Sequence, residues 1–148
     1  MCIRDRPLPD GLDLKNRFIY YVGPVDPVGN EVVGPAGPTT SSRMDKYSSL
    51  MLEDYEIIGM IGKDERGKEA LESIKKNKVV YLIAVGGSAY LISQAIKYSK
   101  LIAFPELGIE AIYEFEIKDM PVTLAVNTQG ESLHEEGVKK WKAVLMKN

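Results

Sequence analysis

Four short apolar runs, separated by segments of helical periodicity, most constrain what this chain can fold into. The runs cover residues 18–23, 56–61, 79–85 and 101–104, and a glycine or a proline closes each of them. Runs of this length, rich in β-branched and aromatic side chains, are typical of buried strands. Strands that alternate with helices favour parallel βαβ units, so we predict an α/β fold.

Three helices are predicted between these runs, because apolar residues recur there three or four positions apart. Their inward-facing residues are Met44, Tyr47, Met51 and Tyr55 in the first, Ala70, Leu71 and Ile74 in the second, and Ala89, Ile92, Ala95 and Ile96 in the third. The first helix is expected to begin among residues 39–42. Asp64 and Ser88 are the expected N-caps of the second and third helices.

The periodicity changes after the fourth run. Residues 112–117 alternate with period two, residues 118–121 form a turn, and residues 122–126 are apolar again. This pattern predicts an antiparallel hairpin, which makes the sheet mixed, with helices flanking it. A last helix is predicted over residues 133–145, with Val138, Trp141 and Leu145 as its apolar face.

The beginning of the chain shows no clear period. Residues 1–17 are therefore predicted to be an irregular lead-in, and residues 18–148 to form one domain. The first six residues look unrelated to the rest of the chain, and we interpret them as a translation or cloning remnant.

The composition narrows the classes of function. The chain has 148 residues, 45% of them hydrophobic, and 19 basic against 21 acidic residues give a net charge of −2. We therefore expect no nucleic acid and no membrane surface as a partner. The apolar runs are far too short to span a bilayer, and no charged-then-apolar leader is visible, so the cytosol is the expected compartment.

The metal-binding side chains are few. Cys2 is the only cysteine and His134 the only histidine. A disulfide framework is thereby excluded, and a cluster that needs about three or four thiolates cannot be held by this chain alone. A self-contained zinc site is equally disfavoured. We predict no metal site within the chain, so any metal must come largely from elsewhere.

A run of hydroxyl side chains is the principal candidate site. Residues 24–38 contain four prolines and three glycines, and Thr39, Thr40, Ser41, Ser42 and Arg43 come directly after them. One hydroxyl suffices to cap a helix, whereas this junction offers four. A helix start also attracts anions, and an arginine there can grip a carboxylate bidentately. A well-capped helix with a solvated arginine is the open alternative.

Lys63 is the second candidate. It comes after a predicted buried strand and precedes a helix, and ligands of α/β sheets bind at that edge. A solvated loop lysine is the alternative on spacing alone. Gly86 and Gly87 lack the rest of a phosphate-binding motif, so a tight turn is the better interpretation there. We interpret His134 as a surface residue.

The hydroxyl run also carries a resemblance. The order Gly-Pro-Thr-Thr-Ser-Ser-Arg-Met-Asp at residues 37–45 resembles the signature of the β-type domain of class I fumarases and tartrate dehydratases. Supporting motifs are Tyr-Tyr-Val-Gly-Pro at 20–24, Ile-Gly-Lys at 61–63, Val-Gly-Gly-Ser-Ala at 85–89 and Glu-Leu-Gly-Ile-Glu-Ala at 106–111. The likeness extends from about residue 14 to residue 141, with the motifs in order.

The resemblance implies a swivelling β/β/α-type domain that acts as the β subunit of an iron–sulfur hydro-lyase. The expected reaction is the reversible hydration of fumarate to malate, with dehydration of L(+)-tartrate as the nearest rival. A [4Fe–4S] cluster would be bound by a partner α subunit, and the assembly would be a homodimer or an αβ hetero-oligomer. A non-catalytic module that binds dicarboxylates or supports assembly is the alternative from another class.

The resemblance also implies roles for individual residues. Thr39 would be the catalytic base that removes the proton next to a carboxylate. Thr40 and Arg43 would bind a substrate carboxylate, with Lys63 as a further cationic anchor. A threonine hydroxyl is a poor base unless its alkoxide is stabilised, which makes a nearby Arg43 chemically apt.

Two departures from the family pattern stand out. Residues 1–13 do not match a segment in which family members usually have an Arg-Asp pair and a histidine. Asp64 stands where the family tends to have glycine. An acidic side chain there is expected either to alter the local field or to cap the next helix.

Overall fold

The computed structural model describes residues 8–146 and divides into two compact units. The first unit contains residues 8–13, Val22–Thr39 and Ala84–Pro121, and the second contains Leu14–Tyr21, Thr40–Ile83 and residues 122–146. The interpretation of the first six residues as a remnant falls outside the described residues. The division into a lead-in and one domain over residues 18–148 stays a prediction.

Within residues 8–146, six strands form two sheets. They are β1 (Phe18–Tyr20), β2 (Gly59–Gly62), β3 (Val80–Ala84), β4 (Ile96–Ala103), β5 (Ile112–Ile117) and β6 (Val122–Val126). One sheet has the order β1-β2-β3-β6, and in it β2 is parallel to both β1 and β3. The other sheet pairs β4 with β5 antiparallel. The predicted α/β class is confirmed, since helices accompany both parallel and antiparallel strand pairs.

The helices are short. The α-helices are α1 (Lys68–Asn77), α2 (Ala89–Ser93) and α3 (Leu133–Leu145). Two 3-10 helices cover Ser41–Tyr47 and Pro105–Glu110, and a π-helix, referred to below as the wide turn, covers Leu50–Asp54. The first predicted helix does begin among residues 39–42, but it is a 3-10 helix that leads into the wide turn. The hydroxyls of Thr40 and Ser41 bond to the side chains of Asp64 and Tyr81, so tertiary contacts and not local helix signals fix the start of this segment.

The predicted cap of α1 is wrong. Gly67, not Asp64, is its N-cap residue, and Asp64 lies in the left-handed region with φ of 68°. The inward face of α1 agrees with the prediction, because Ala70 and Ile74 are fully buried.

Two strand predictions are also wrong. Helix α2 ends at Ser93, and the chain from Ile96 onward is a strand that pairs with β5 instead of joining the parallel sheet. The expected hairpin between residues 112–117 and 122–126 is absent from the described residues, because β5 pairs with β4 and β6 neighbours β3.

Long-range packing explains why residues 96–103 form a strand that pairs with β5 in the first unit. The buried residues Val33, Ala36 and Ile96 form a cluster against which Phe115 packs. Lys100 and Glu114 stand opposite each other across the β4–β5 ladder, which is a favourable cross-strand pair. The spacing of apolar residues within 89–96 carries no information about these long-range contacts. From that spacing alone, a longer helix is predicted.

Helix α3 has the predicted bounds but not the predicted burial. The exposed fractions of Val138, Trp141 and Leu145 are 50%, 64% and 73%. These residues share a face by spacing, yet nothing in the described part of the chain covers that face. None of the helices within residues 8–146 is long and apolar enough to cross a membrane.

Gly62, the last residue of β2, permits a close approach that the second unit requires. A Cβ atom built on Gly62 would overlap the hydroxyl oxygen of Ser41, whose side chain is fully buried. Glycine is therefore needed here for space, because the Ser41 side chain occupies the volume that any other side chain would take.

We predict that Gly62→Ala destabilises the protein by about 1–3 kcal/mol, because the added methyl overpacks the contact with Ser41. Gly137→Ala is the matched control, since a Cβ atom at this position in α3 meets nothing within 4 Å. That change should stabilise the helix by about 0.5–1 kcal/mol. Urea unfolding of both variants measures the difference, and equal effects would contradict the assigned close approach.

Candidate active site

The hydroxyl run meets the parallel sheet at the carboxyl end of β2. Thr40 and Lys63 form an isolated parallel bridge, and the Ser41 amide donates a hydrogen bond of 3.0 Å to the Lys63 carbonyl. Lys63 comes directly after β2, as the sequence predicts. The two candidate segments, distant in the chain, are therefore adjacent in the second unit, at the edge where α/β sheets bind ligands.

Thr40 does not cap the helix that begins after it. It is the N-cap residue of the Ser41–Tyr47 helix, but its side chain makes no capping hydrogen bond. Its Oγ1 instead donates to Asp64 Oδ2 at 2.8 Å. The alternative interpretation of Thr40 as a helix-capping side chain is therefore wrong. Asp64 offers a charged acceptor, and charge-assisted hydrogen bonds are stronger than those between neutral groups.

Ser41 is engaged as well. Tyr81 Oη lies 3.0 Å from Ser41 Oγ and 3.0 Å from the Asp64 carbonyl oxygen. The carbonyl can only accept, so when Tyr81 donates its one proton there, the Ser41 hydroxyl donates to Tyr81. Burial raises the pKa of Tyr81, and the Ser41 hydrogen bond and the Arg66 charge partly offset that rise. The phenol therefore stays protonated and ties the two segments together.

A buried ion pair holds the 3-10 helix in place. Arg66 Nε donates to Asp45 Oδ1 at 2.6 Å, and the Gly67 amide donates to Asp45 Oδ2 at 2.6 Å. The Arg66 side chain is fully buried and that of Asp45 is 15% exposed. Asp45 lies two residues after Arg43, so the pair fixes the helix on which Arg43 is carried.

The rest of the Arg66 guanidinium is satisfied by neutral groups. Its Nη2 donates to Ser48 Oγ at 3.0 Å, and its Nη1 contacts Met60 Sδ at 3.4 Å. Its central carbon lies 4.9 Å from the ring centre of Tyr81 and 5.7 Å from that of Tyr21. Burial raises the pKa of Tyr21, with the Arg66 charge acting in the opposite direction. We call Arg66, its counter-charge and these neutral partners the Arg66 cluster.

The predicted site residues differ in their surroundings. Arg43 is exposed and Lys63 half-buried, and neither side chain has a hydrogen-bond or ion-pair partner among residues 8–146. Thr40 is half-buried and bonded to Asp64. Thr39, also half-buried, is the last residue of its segment of the first unit. The structure thus brings Thr40 and Lys63 together, while the roles of all four residues stay predictions.

An open cleft of about 530 Å³ lies in the second unit beside the 3-10 helix. Three of its seven lining residues are acidic, and the lining consists of Ser42, Asp45, Asp64, Glu65, Arg66, Gly67 and His134. His134 is half-buried at this cleft, so its interpretation as a simple surface residue is incomplete. The cationic candidates Arg43 and Lys63 are not part of the lining.

The donor set does not suit a metal cluster. No group of three or more histidine, cysteine, aspartate or glutamate side chains within residues 8–146 is arranged to hold a metal ion. The single cysteine, Cys2, lies outside the described residues. An iron–sulfur cluster needs thiolate ligands, and the described residues do not supply them.

Sequence reasoning missed Asp45, Arg66 and Tyr81 as members of the site. Asp45 closes the Arg-Met-Asp segment at residues 43–45, which was a usable signal. Arg66 comes after two acidic residues in a loop, where a solvated side chain is the normal expectation. Only its burial among aromatic rings reveals its role.

The described residues form a mixed α/β fold in which a hydroxyl-rich segment meets a lysine at the end of a parallel strand. The profile of the family described as Fumarase C-terminus matches residues 1–137. The match therefore begins before residue 14, where the motifs in the sequence placed its start, and it includes residues 1–13. The chain therefore belongs to this family.

Individual relatives agree with the family match. The chain is 34% identical over 128 residues to the anaerobic class I fumarate hydratase of Escherichia coli K12. The aligned residues make up 86% of this chain and 23% of that protein. It is 35% identical over 129 residues to a putative class I fumarate hydratase of Geobacillus stearothermophilus, covering 84% of this chain and 25% of the relative.

A third relative is nearer in length. The putative L(+)-tartrate dehydratase subunit beta of Methanocaldococcus jannaschii is 35% identical over 133 residues, which cover 86% of this chain and 68% of the relative. The chain thus spans about a quarter of these two fumarate hydratases, and about two thirds of the tartrate dehydratase subunit.

We predict that Asp45→Asn destabilises the protein by about 3–5 kcal/mol, because it leaves the buried Arg66 guanidinium without its counter-charge. Lys76→Ala is the control, since Lys76 and Glu53 form an exposed pair at 2.9 Å. Loss of that pair should cost less than about 1 kcal/mol. Urea unfolding at pH 7 compares the two, and similar losses would mean that the Arg66 cluster does not hold the helix.

Proposed function

We propose that the chain is the β subunit, or β-type domain, of an iron–sulfur hydro-lyase that hydrates fumarate reversibly to malate. Membership of the Fumarase C-terminus family over residues 1–137 carries the proposal. The relatives are named as fumarate hydratases and a tartrate dehydratase, which supports the lyase class. In this proposal the fold is of the swivelling β/β/α type and the compartment is the cytosol.

Carboxylate binding falls to Thr40, Arg43 and Lys63. Arg43 and Lys63 support this assignment because each presents a cation that is not consumed by a partner among the described residues. A fork of guanidinium donors matches a carboxylate, and a lysine adds a point charge for the second one. A doubly charged C4 substrate therefore suits the pair.

Proton transfer falls to Thr39. In the direction from malate to fumarate, a base must remove the proton from the carbon next to a carboxylate. The Thr39 hydroxyl performs this step only if its alkoxide is stabilised, so a cation such as Arg43 lowers the free energy of the reacting form. Thr39 precedes Thr40 in the chain, so base and carboxylate ligand are consecutive residues.

The [4Fe–4S] cluster is proposed to belong to an α subunit. Two observations support this assignment: the sequence has a single cysteine, and the Methanocaldococcus jannaschii relative is named as a beta subunit. When bound, such a cluster supplies Lewis-acid polarisation of oxygen ligands. The assembly would be an αβ hetero-oligomer or a homodimer.

L(+)-tartrate dehydratase is the second candidate. The share of each relative's length that aligns with this chain favours it. The chain spans 68% of the tartrate dehydratase subunit but only 23% of the anaerobic fumarate hydratase. A non-catalytic dicarboxylate-binding or assembly module is the candidate from another class. The hydrogen bond between Thr40 and Asp64 favours the assembly role, because it engages a hydroxyl that a substrate carboxylate would need.

Co-expression with a three-cysteine α partner under anaerobic conditions tests the proposal. The purified pair should hydrate fumarate, measured by absorbance of the double bond, and tartrate dehydration is measured on the same sample. Activity on tartrate alone would select the second candidate. Binding without either reaction would support the non-catalytic module and remove the enzyme proposal.

In an active pair, Thr39→Ala should lower kcat by about 10²–10⁴-fold with little change in KM, because it removes the base and leaves the carboxylate ligands. Arg43→Ala should mainly raise KM. Ser42→Ala and Lys46→Ala are the matched controls, a hydroxyl and a cation from the same segment. Steady-state kinetics decide, and the assignment fails if the site variants behave like their controls.

A further inference from the structure

Asp64 brings a carboxylate of the chain itself to Thr40, which is the residue proposed to receive a substrate carboxylate. The Thr40 hydroxyl donates to Asp64 Oδ2 at 2.8 Å. A hydroxyl has one proton to donate, so it cannot donate to Asp64 and to a ligand carboxylate at the same time. The two carboxylates also carry like charges and repel each other.

The backbone holds Asp64 in this position. Its φ of 68° lies in the left-handed region, which favours glycine, although aspartate tolerates it better than most residues. Its carbonyl oxygen accepts a hydrogen bond of 3.0 Å from Tyr81, and the preceding residue, Lys63, forms the bridge with Thr40. Both restraints act on the main chain, so the carboxylate is presented to Thr40 by a fixed turn.

We infer that Asp64 lowers the affinity for dicarboxylate ligands because it competes with them for the Thr40 hydroxyl. This inference rests on the proposed function, since it assigns Thr40 to carboxylate binding. A ligand carboxylate binds at Thr40 only when the hydroxyl leaves Asp64 and the repulsion between the two charges is overcome. The wild-type chain therefore binds C4 dicarboxylates more weakly than a chain with an uncharged residue at position 64.

The test is a titration of the full chain with succinate, a C4 dicarboxylate without a double bond or hydroxyl. The amide NMR signals of residues 40–43 report the Kd. Asp64→Gly removes the competing acceptor and should lower the Kd about 2–10-fold, which corresponds to one net hydrogen bond. Asp64→Asn removes only the charge and keeps an acceptor, so a smaller decrease is expected. Asparagine also tolerates the left-handed backbone, so this variant decides if Asp64→Gly fails to fold.

Two further variants separate competition from a general charge effect. Glu65→Gln removes the same charge from the neighbouring exposed position and should leave the Kd within about 2-fold. Thr40→Val removes the contested hydroxyl, so adding Asp64→Gly to it should bring less than half of the gain seen in the wild-type background. Equal gains from Glu65→Gln and Asp64→Asn, or equal gains with and without Thr40, would overturn the inference.

The outcomes also distinguish the inference from the proposed function. Wild-type binding that weakens in Arg43→Ala, together with an unchanged Kd in Asp64→Gly, would overturn the inference and leave the proposed site standing. Absence of succinate binding in the wild type, in Asp64→Gly and in Asp64→Asn would overturn both the inference and the assignment of Thr40, Arg43 and Lys63 to carboxylate binding.

Discussion

The buried Arg66–Asp45 ion pair is the interaction on which the second unit depends. A guanidinium that is fully removed from water is tolerated only when its charge is paired and its donors have partners. Asp45 supplies the counter-charge, and Ser48, Met60 and two tyrosine rings complete the environment. The pair joins the 3-10 helix to the loop between β2 and α1, which are the two segments that carry Arg43 and Lys63.

The two arginines of the site differ in burial and in their partners: Arg66 is buried and hydrogen-bonded, whereas Arg43 is exposed. Arg66 is consumed inside the fold, where its fork of donors meets one carboxylate, one hydroxyl and a sulfur. Arg43 is exposed on the 3-10 helix, and its side chain has no hydrogen-bond or ion-pair partner among residues 8–146. The Arg66–Asp45 ion pair thus holds in place the 3-10 helix that carries Arg43. That helix begins at Ser41, which is buried against Gly62 with no room for a side chain between them.

Asp64 gives the site its particular electrostatic character. It comes after Lys63 in the chain, bonds to Thr40 and lines the cleft beside the 3-10 helix, so a negative charge stands next to the groups that are proposed to bind an anionic substrate. In the proposed function, this charge opposes the binding of a dicarboxylate, whereas Arg43 and Lys63 favour it.

The sequence by itself determined the elements whose signals are local. Strands β1, β2 and β3, the strand at β5 and the bounds of α3 agreed with the periodicity, and the order of residues 37–45 indicated the family. Only the tertiary structure decided the strand partners. Strand β5 pairs with β4, where its Phe115 packs against the buried cluster that contains Ile96, and β6 neighbours β3. It also decided that Thr40 binds Asp64 and that Arg66 is buried. The hydrogen bonds of these two side chains to Asp64, Asp45 and Ser48 join residues 18 to 24 positions apart. Their energies depend on burial and geometry that no local pattern contains.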